Sequence, residues 1–167
     1  MIDHERVRTM LNIVRDEISN STEGKVMIHD KSYATVGLRL RCLRELFGSL
    51  ITIRSKIVQN DGESITVKAE VLLNDGDNQI LLSDGYANKN IKYVKPFLRS
   101  SLLEFCQTSA WGRALGNLGL LGDTDVIPSA EEMLLAQGET IPTSNITVNA
   151  SAENVVVEKE DTDAFSG

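Results

Sequence analysis

Two runs of strict alternation around one turn constrain this chain more than any other feature. From Leu50 to Gln59, Ile51, Ile53 and Ile57 fall on one side of an extended chain and Thr52, Arg54 and Lys56 on the other. Asn60-Asp61-Gly62 follows, a turn in which Asn and Gly tolerate the left-handed backbone that a tight hairpin requires. From Ser64 to Leu73 the alternation resumes, with Ile65, Val67, Ala69 and Val71 opposite Thr66, Lys68 and Glu70. Asn74-Asp75-Gly76-Asp77 makes a second turn, and Ile80 to Ala87 reads as a third strand, weakened by Gly85. Three such segments joined by tight turns predict an antiparallel meander with one wet face.

Period 3.6 appears on either side of the meander. Asp3 can cap a helix to about Ile18, with Val7, Met10, Leu11, Val14 and Ile18 on one face. Asn20-Ser21-Thr22-Glu23-Gly24 ends it, and Lys25 to His29 is a short strand. Ser32 is expected to open a second helix that buries Tyr33, Val36, Leu40, Leu43 and Phe47, leaves Arg39, Arg41 and Arg44 off that stripe, and closes at Gly48. Downstream, Glu104 to Leu120 reads as a helix of small residues: Ser109, Ala110, Gly112, Ala114 and Gly116 leave little side chain around Arg113. Each helical glycine costs about 1 kcal/mol relative to Ala, so two of them imply close approach of another backbone or a bulky ligand. Ser101 and Glu104 have capping-box spacing at its start, as do Ser129 and Glu132 in a short helix to Ala136; Gly119 and Gly122 stop the long one. Between meander and helix, Tyr86 to Arg99 reads as a connector, with Pro96 excluding a regular helix through its middle.

At 167 residues the chain supports one domain, expected over residues 1–137. Residues 138–167 lack any sustained period and carry one Lys against six acids, the composition of a disordered tail. The net charge of −7 is unevenly spread: residues 31–113 hold 12 Lys and Arg against 8 Asp and Glu. Local charge governs attraction to phosphate, so a basic middle between acidic ends keeps nucleic acid open as a partner. Cys42 and Cys106 stand alone and read as buried small hydrophobes, and with no apolar run near ~20 residues and no signal-like start the expectation is a cytoplasmic, membrane-free protein. No catalytic set appears. His4 and His29 lack a nucleophile's context, Asp123-Thr124-Asp125 and Asp75-Gly76-Asp77 read as turns rather than metal loops, and no phosphate-binding loop implies ATP. The expectation is a non-enzyme with no cofactor and no metal.

One resemblance runs through these segments. Gln107-Thr108-Ser109-Ala110-Trp111-Gly112-Arg113-Ala114-Leu115, then Leu118-Gly119, then Ser129-Ala130-Glu131-Glu132, resembles the signature of phage single-strand annealing proteins of the Erf type, in the recombination-mediator superfamily. The family form is close to E-T-S-A-x-G-R-A-L, a Gly-rich turn and A-S-x-E-E. Gln107 departs from its acidic position, and Pro128-Ser129 stands where Ala-Ser is common. Upstream, Lys31-Ser32-Tyr33-Ala34-Thr35-Val36, Leu38-Arg39-Leu40 and Arg44-Glu45-Leu46-Phe47 resemble the family's first part, so the likeness covers roughly residues 24–137. It implies an α+β fold with a β-β-β-α core: a three-stranded antiparallel meander, a long helix packed across it, and N-terminal helices. It implies binding of single-stranded DNA, ATP-independent annealing of complementary strands in phage recombination within the host cytoplasm, and homo-oligomeric rings or helical filaments. A host single-stranded DNA-binding protein or a phage exonuclease are the implied protein partners.

Residue chemistry suits a single strand, which needs cations along a track and flat faces for bases. Tyr86, Tyr93 and Phe97 interleave with Lys89, Lys92, Lys95 and Arg99; Arg54, Lys56 and Lys68 on the wet face could extend the track. Arg113 is the foremost candidate, because its small neighbours leave it room and the resemblance places the family's basic helix residue there. The open sheet edge and the apolar N-terminal helix are the expected subunit contacts. Acidic residues around Phe165 resemble the partner-docking tails of bacterial single-stranded DNA-binding proteins. Two other readings stay open: a protective or recombinase-loading binder without annealing activity, and a structural or assembly protein whose basic middle meets its own acidic ends.

Overall fold

The computed structural model describes residues 3–122 and 127–136. The tail 138–167 with Phe165, the Asp123-Thr124-Asp125 turn and the Phe97 side chain lie outside the described residues. The fold is α+β. Helix α1 (His4–Asn20) starts where Asp3 accepts a hydrogen bond from the Glu5 amide at 3.0 Å. Its apolar stripe turns inward, with Val14 and Ile18 fully buried and Met10 and Leu11 packed against the core. That stripe is therefore covered within the chain and does not offer the subunit contact expected of it.

The second helix begins later than its hydrophobic spacing suggests. Lys25–Ile28 (β1) pairs with Lys31–Ala34 (β2) as a small antiparallel hairpin. His29 and Asp30 turn between them at φ +46° and +61°. This left-handed pair contains no glycine, so Ser32 looks like a helix cap when it lies in a strand. Helix α2 (Val36–Phe47) is capped by Thr35, whose Oγ1 accepts the Leu38 amide at 3.1 Å. Arg41 and Arg44 are exposed as their position off the stripe implies, but Arg39 is fully buried.

Strands β3 (Ile51–Asn60), β4 (Ser64–Asp75) and β5 (Asn78–Asn90) form an antiparallel sheet in the order β3-β4-β5. Val67, Ala69, Val71 and Ala87 are buried in the core on its inner face. Ile57, aligned with them by period, is half exposed although its ladder partner Val67 is buried, because β3 is the edge strand and α3 lies over β5 and β4 rather than over it. Helix α3 (Leu102–Asn117) lies across that face. The Ser101 capping box does not form: Ser101 makes no side-chain cap, and α3 is reached from a 3₁₀ turn at Pro96–Ser101. At its other end Gly119 (φ +86°) closes a Schellman motif, the Gly119 amide reaching the Gly116 carbonyl at 2.8 Å and the Leu120 amide the Leu115 carbonyl at 3.0 Å.

The glycines divide the contacts of α3 between its two sides. Toward the sheet the close approach is made by a strand residue: a Cβ on Gly85 would lie 2.4 Å from the Ala114 nitrogen and 2.8 Å from the Ala110 carbonyl oxygen. Gly85 therefore admits α3 rather than interrupting β5, and β5 runs on to Asn90 through the first five residues of the expected connector. Gly112 and Gly116 face away from the sheet. Gly112 lies against Val36 and Ser129, and Gly116 against Ile127.

Candidate nucleic-acid interface

Three separated stretches of sequence meet on the far side of α3. From α2, the Arg39 guanidinium donates Nη1 to the carbonyls of Gly112 (3.3 Å) and Ile127 (3.4 Å) and Nη2 to that of Pro128 (3.3 Å). From α4 (Ala130–Ala136), Glu131 accepts the Val36 amide on both carboxylate oxygens, at 3.0 and 3.2 Å, and so caps α2 across space. Ser129 accepts the Glu132 amide at 3.5 Å, the local half of the expected cap. Burial lowers the pKa of Arg39, with Glu131 and then Glu132 pulling it back up. Arg39, Val36, Gly112, Ser129, Glu131 and Glu132 belong to the segments 31–40, 107–115 and 129–132 that carry the family resemblance, and with the carbonyls of Ile127 and Pro128 they form one clasp.

Arg113 rises from this clasp at the edge of the sheet. Its Nη1 donates to the Tyr86 carbonyl at 3.0 Å, and its Nη2 pairs with Glu132 Oε1 at 3.3 Å. Its side chain stays about half exposed, whereas that of Glu132 is only 10% exposed. One turn on, Asn117 donates to the Asp84 carbonyl at 2.7 Å. Both carbonyls lie on the outer edge of β5, so α3 covers part of an edge that could otherwise pair with another strand. Asp84, Gly85, Tyr86, Arg113, Asn117, Ile127, Pro128 and Glu132 line an open groove along this edge.

Lys89 sits on the same side. It pairs with Ile65 across β4, which places it on the helix face of the sheet. Its Nζ lies 4.5 Å from the centre of the Phe105 ring. Burial lowers its pKa, Glu132 raises it, and the nearby Arg113 lowers it further. Lys92, Tyr93, Lys95 and Arg99 follow on the loop and the 3₁₀ turn. Lys92 pairs with Glu63 at 3.0 Å, Tyr93 is 89% exposed and Arg99 is exposed.

The other predicted residues lie on the opposite face. Lys68 stands opposite both Lys56 and Tyr86 in the ladders, and Arg54 opposite Glu70, so all share the outer surface. Lys68 is largely covered, held by Glu70 (2.8 Å) and Asp84 (3.0 Å), with the Tyr86 ring 5.5 Å away. Arg54 pairs with Glu70 at 2.8 Å. Hydrogen bonds from Lys68 and then Arg54 depress the Glu70 pKa from 4.5 to about 2, and Glu70 in turn raises that of Lys68. A depressed carboxylate stabilises the fold fully above its unfolded pKa and loses that contribution as pH falls through its folded value. Acid titration of the melting temperature should therefore lose a component between about pH 4.5 and pH 2 that Glu70→Gln lacks. Identical acid profiles for the two proteins would show that the network is too solvated to matter.

The predicted track is thus divided. Arg113 and Lys89 share the β5 edge, Lys92, Tyr93, Lys95 and Arg99 extend from the end of β5, and Arg54, Lys56, Lys68 and Tyr86 occupy the outer face. Sequence reasoning missed Glu132, Asn117 and Phe105 as neighbours of the site. For Glu132 the signals were the Ser129–Glu132 spacing, which reads as a local cap, and its place in the resembling run Ser129-Ala130-Glu131-Glu132. Cys42 and Cys106 are buried free thiols whose pKa values burial raises. Among the described residues no cluster of three or more His, Cys, Asp or Glu could hold a metal ion, and no helix is long and apolar enough to cross a membrane. No protein-family model matches the chain, and a search of curated proteins finds no match.

Proposed function

We propose that the protein binds single-stranded DNA along the β5 edge and anneals complementary strands without ATP, as its resemblance to the Erf-type proteins implies. The observation that carries this reading is the convergence of the three resembling segments on one clasp that presents Arg113 in an open groove, with Lys89 farther along β5. Cations there would neutralise phosphates while bases stay exposed for pairing, with Phe105 and Tyr93 as stacking faces. A groove this short calls for several protomers side by side. Both sheet edges resist backbone pairing: Arg113 and Asn117 occupy carbonyls of β5, and β3 carries Arg54, Lys56 and a register shift between Ile57 and Gln59. Assembly into rings or filaments would then use side-chain contacts rather than a continuous sheet.

Purified protein should speed the pairing of two complementary oligonucleotides beyond the rate without protein. Binding of each strand without faster pairing would leave a protective or recombinase-loading protein, a reading favoured by the division of cations between two faces. Absence of binding at every salt concentration would favour the assembly reading, for which four cations already paired to the chain's own carboxylates speak: Arg54, Lys68, Lys92 and Arg113.

Arg113→Ala should weaken single-stranded DNA binding and flatten the log–log salt dependence by about 0.7, the share of one phosphate contact on a single strand. Fluorescence anisotropy over a salt series reads both. Unchanged affinity and slope in a folded variant would remove Arg113 from the interface.

A further inference from the structure

Glu132 is the carboxylate that pairs with Arg113 in the proposed groove, and its position is costly. Its side chain is nine-tenths buried, Oε1 takes Arg113 Nη2 at 3.3 Å, and Oε2 is buried with no hydrogen-bond partner. An unpaired buried carboxylate oxygen is among the less favourable arrangements a fold keeps, because it has lost water and gained nothing. Glu132 also bears electrostatically on Lys89 and Arg39. The helix that carries it has seven residues and is held by Ala130 and Leu134 against Ile28 and Tyr33, and by Glu131 on the Val36 amide.

We propose that Glu132 occupies, in the ligand-free protein, the place that a backbone phosphate takes beside Arg113, and that a bound strand displaces it. This rests on the reading of the β5 edge as a single-stranded DNA groove. A phosphodiester offers Arg113 the anion that Glu132 supplies. The displaced carboxylate regains water for its unpaired oxygen. The exchange makes α4 a displaceable guard over the groove: strands that deliver a phosphate to Arg113 loosen it, and weak or neutral ligands leave it closed.

The test uses the full chain, a fluorescent oligothymidylate and the variants Glu132→Gln, Arg113→Ala and the double substitution. Glu132→Gln should tighten binding roughly fivefold at low salt and steepen the salt dependence by about 0.7, as one further cation becomes available. The double variant should bind no better than Arg113→Ala. Hydrogen exchange of the unaltered protein provides the second measurement: the Glu132, Met133 and Val36 amides should exchange several-fold faster when the oligonucleotide is bound. If the unaltered protein binds and Glu132→Gln binds equally well or more weakly, Glu132 merely positions Arg113 and the displacement is wrong. Slower or unchanged exchange of those amides on binding overturns it too, even if Glu132→Gln fails to fold. An unaltered protein that binds no oligonucleotide would instead overturn the reading of the groove, and the displacement with it.

Discussion

Gly85→Ala is expected to lower the melting temperature by about 10 °C, a large effect for one added methyl group. The new Cβ would stand 2.4 Å from the Ala114 nitrogen, and 2.8 Å from the Ala110 carbonyl oxygen and the Arg113 carbonyl carbon. All three are backbone atoms of α3, so no side chain can swing aside and the helix itself must lift. Lifting strains the contacts that seat it: Ser83 Oγ on the Ala114 carbonyl at 2.8 Å, Asn117 on Asp84, Arg113 on Tyr86, and the Cys106 thiol on the Ala87 carbonyl. Overpacking costs typically ~1–3 kcal/mol, and the rigid surroundings here place it near the upper figure. For a folded region of this size each kcal/mol lowers the transition by roughly 3 °C. Gly37→Ala is the matched control. It lies in α2 with only Thr35 Oγ1 within reach, at 3.9 Å, and should raise the transition slightly through helix propensity, by ~0.5–1 kcal/mol. Thermal melting of both variants separates the effects. A Gly85→Ala protein that melts with the unaltered chain would mean that α3 does not sit on β5 this closely.

Arg39→Met is expected to cost about as much, for a polar reason. Replacing buried ion pairs by apolar side chains is often neutral, because both charges and their desolvation vanish together. Arg39 differs, since its partners are main-chain carbonyls of Gly112, Ile127 and Pro128 that no substitution removes. Methionine fills similar space but leaves acceptors buried without donors, at ~1–3 kcal/mol for each that stays unpaired. Relief of the desolvated guanidinium, whose Nε already lacks a partner, offsets part of that loss. The net expectation is ~3 kcal/mol and roughly 10 °C in the melting transition. Arg39→Lys should recover little of it, because an ammonium cannot span three carbonyls as a planar fork does. Calorimetry of the two variants decides the matter: a methionine protein as stable as the unaltered one would reduce the clasp to ordinary packing. Loss of the clasp should also loosen the 127–132 segment and with it Glu132 beside Arg113.

The regular elements were legible because their signals are local. Alternation over Ile51–Ile57 and Ile65–Val71 places side chains on two faces whatever lies elsewhere, and Asn60-Asp61-Gly62 turns the chain through its own backbone preferences. The stripe Val7-Met10-Leu11-Val14-Ile18 likewise depends on period 3.6 alone, as does the cap at Asp3. Where a signal was ambiguous, packing decided. Ser32 and Tyr33 fit a helix start or a strand equally well, and pairing with Met27 and Val26 across a left-handed His29-Asp30 turn settled them in β2.

The site was legible as a set of residue types and illegible as an arrangement. Cations and aromatics between Arg54 and Arg113 stood out in the sequence, but strand register sent Lys68 and Tyr86 to one face and Lys89 to the other. That register follows from which residues the sheet buries against α3, a property of the pair of elements and not of either one. The glycines show the same division. Sequence alone determined that the helix around Arg113 is built for close approach, because glycine within a helix is unfavourable unless something lies against it. Only the tertiary structure decided that Gly85, in the strand, admits the sheet, while Gly112 and Gly116 admit α2 and the 127–129 segment. Arg39 read only as a charge off the apolar stripe, and Glu132 only as a local cap, for the same reason. A charged side chain enters a core only when carbonyls and counter-charges from distant segments meet it there, and no local period records that meeting.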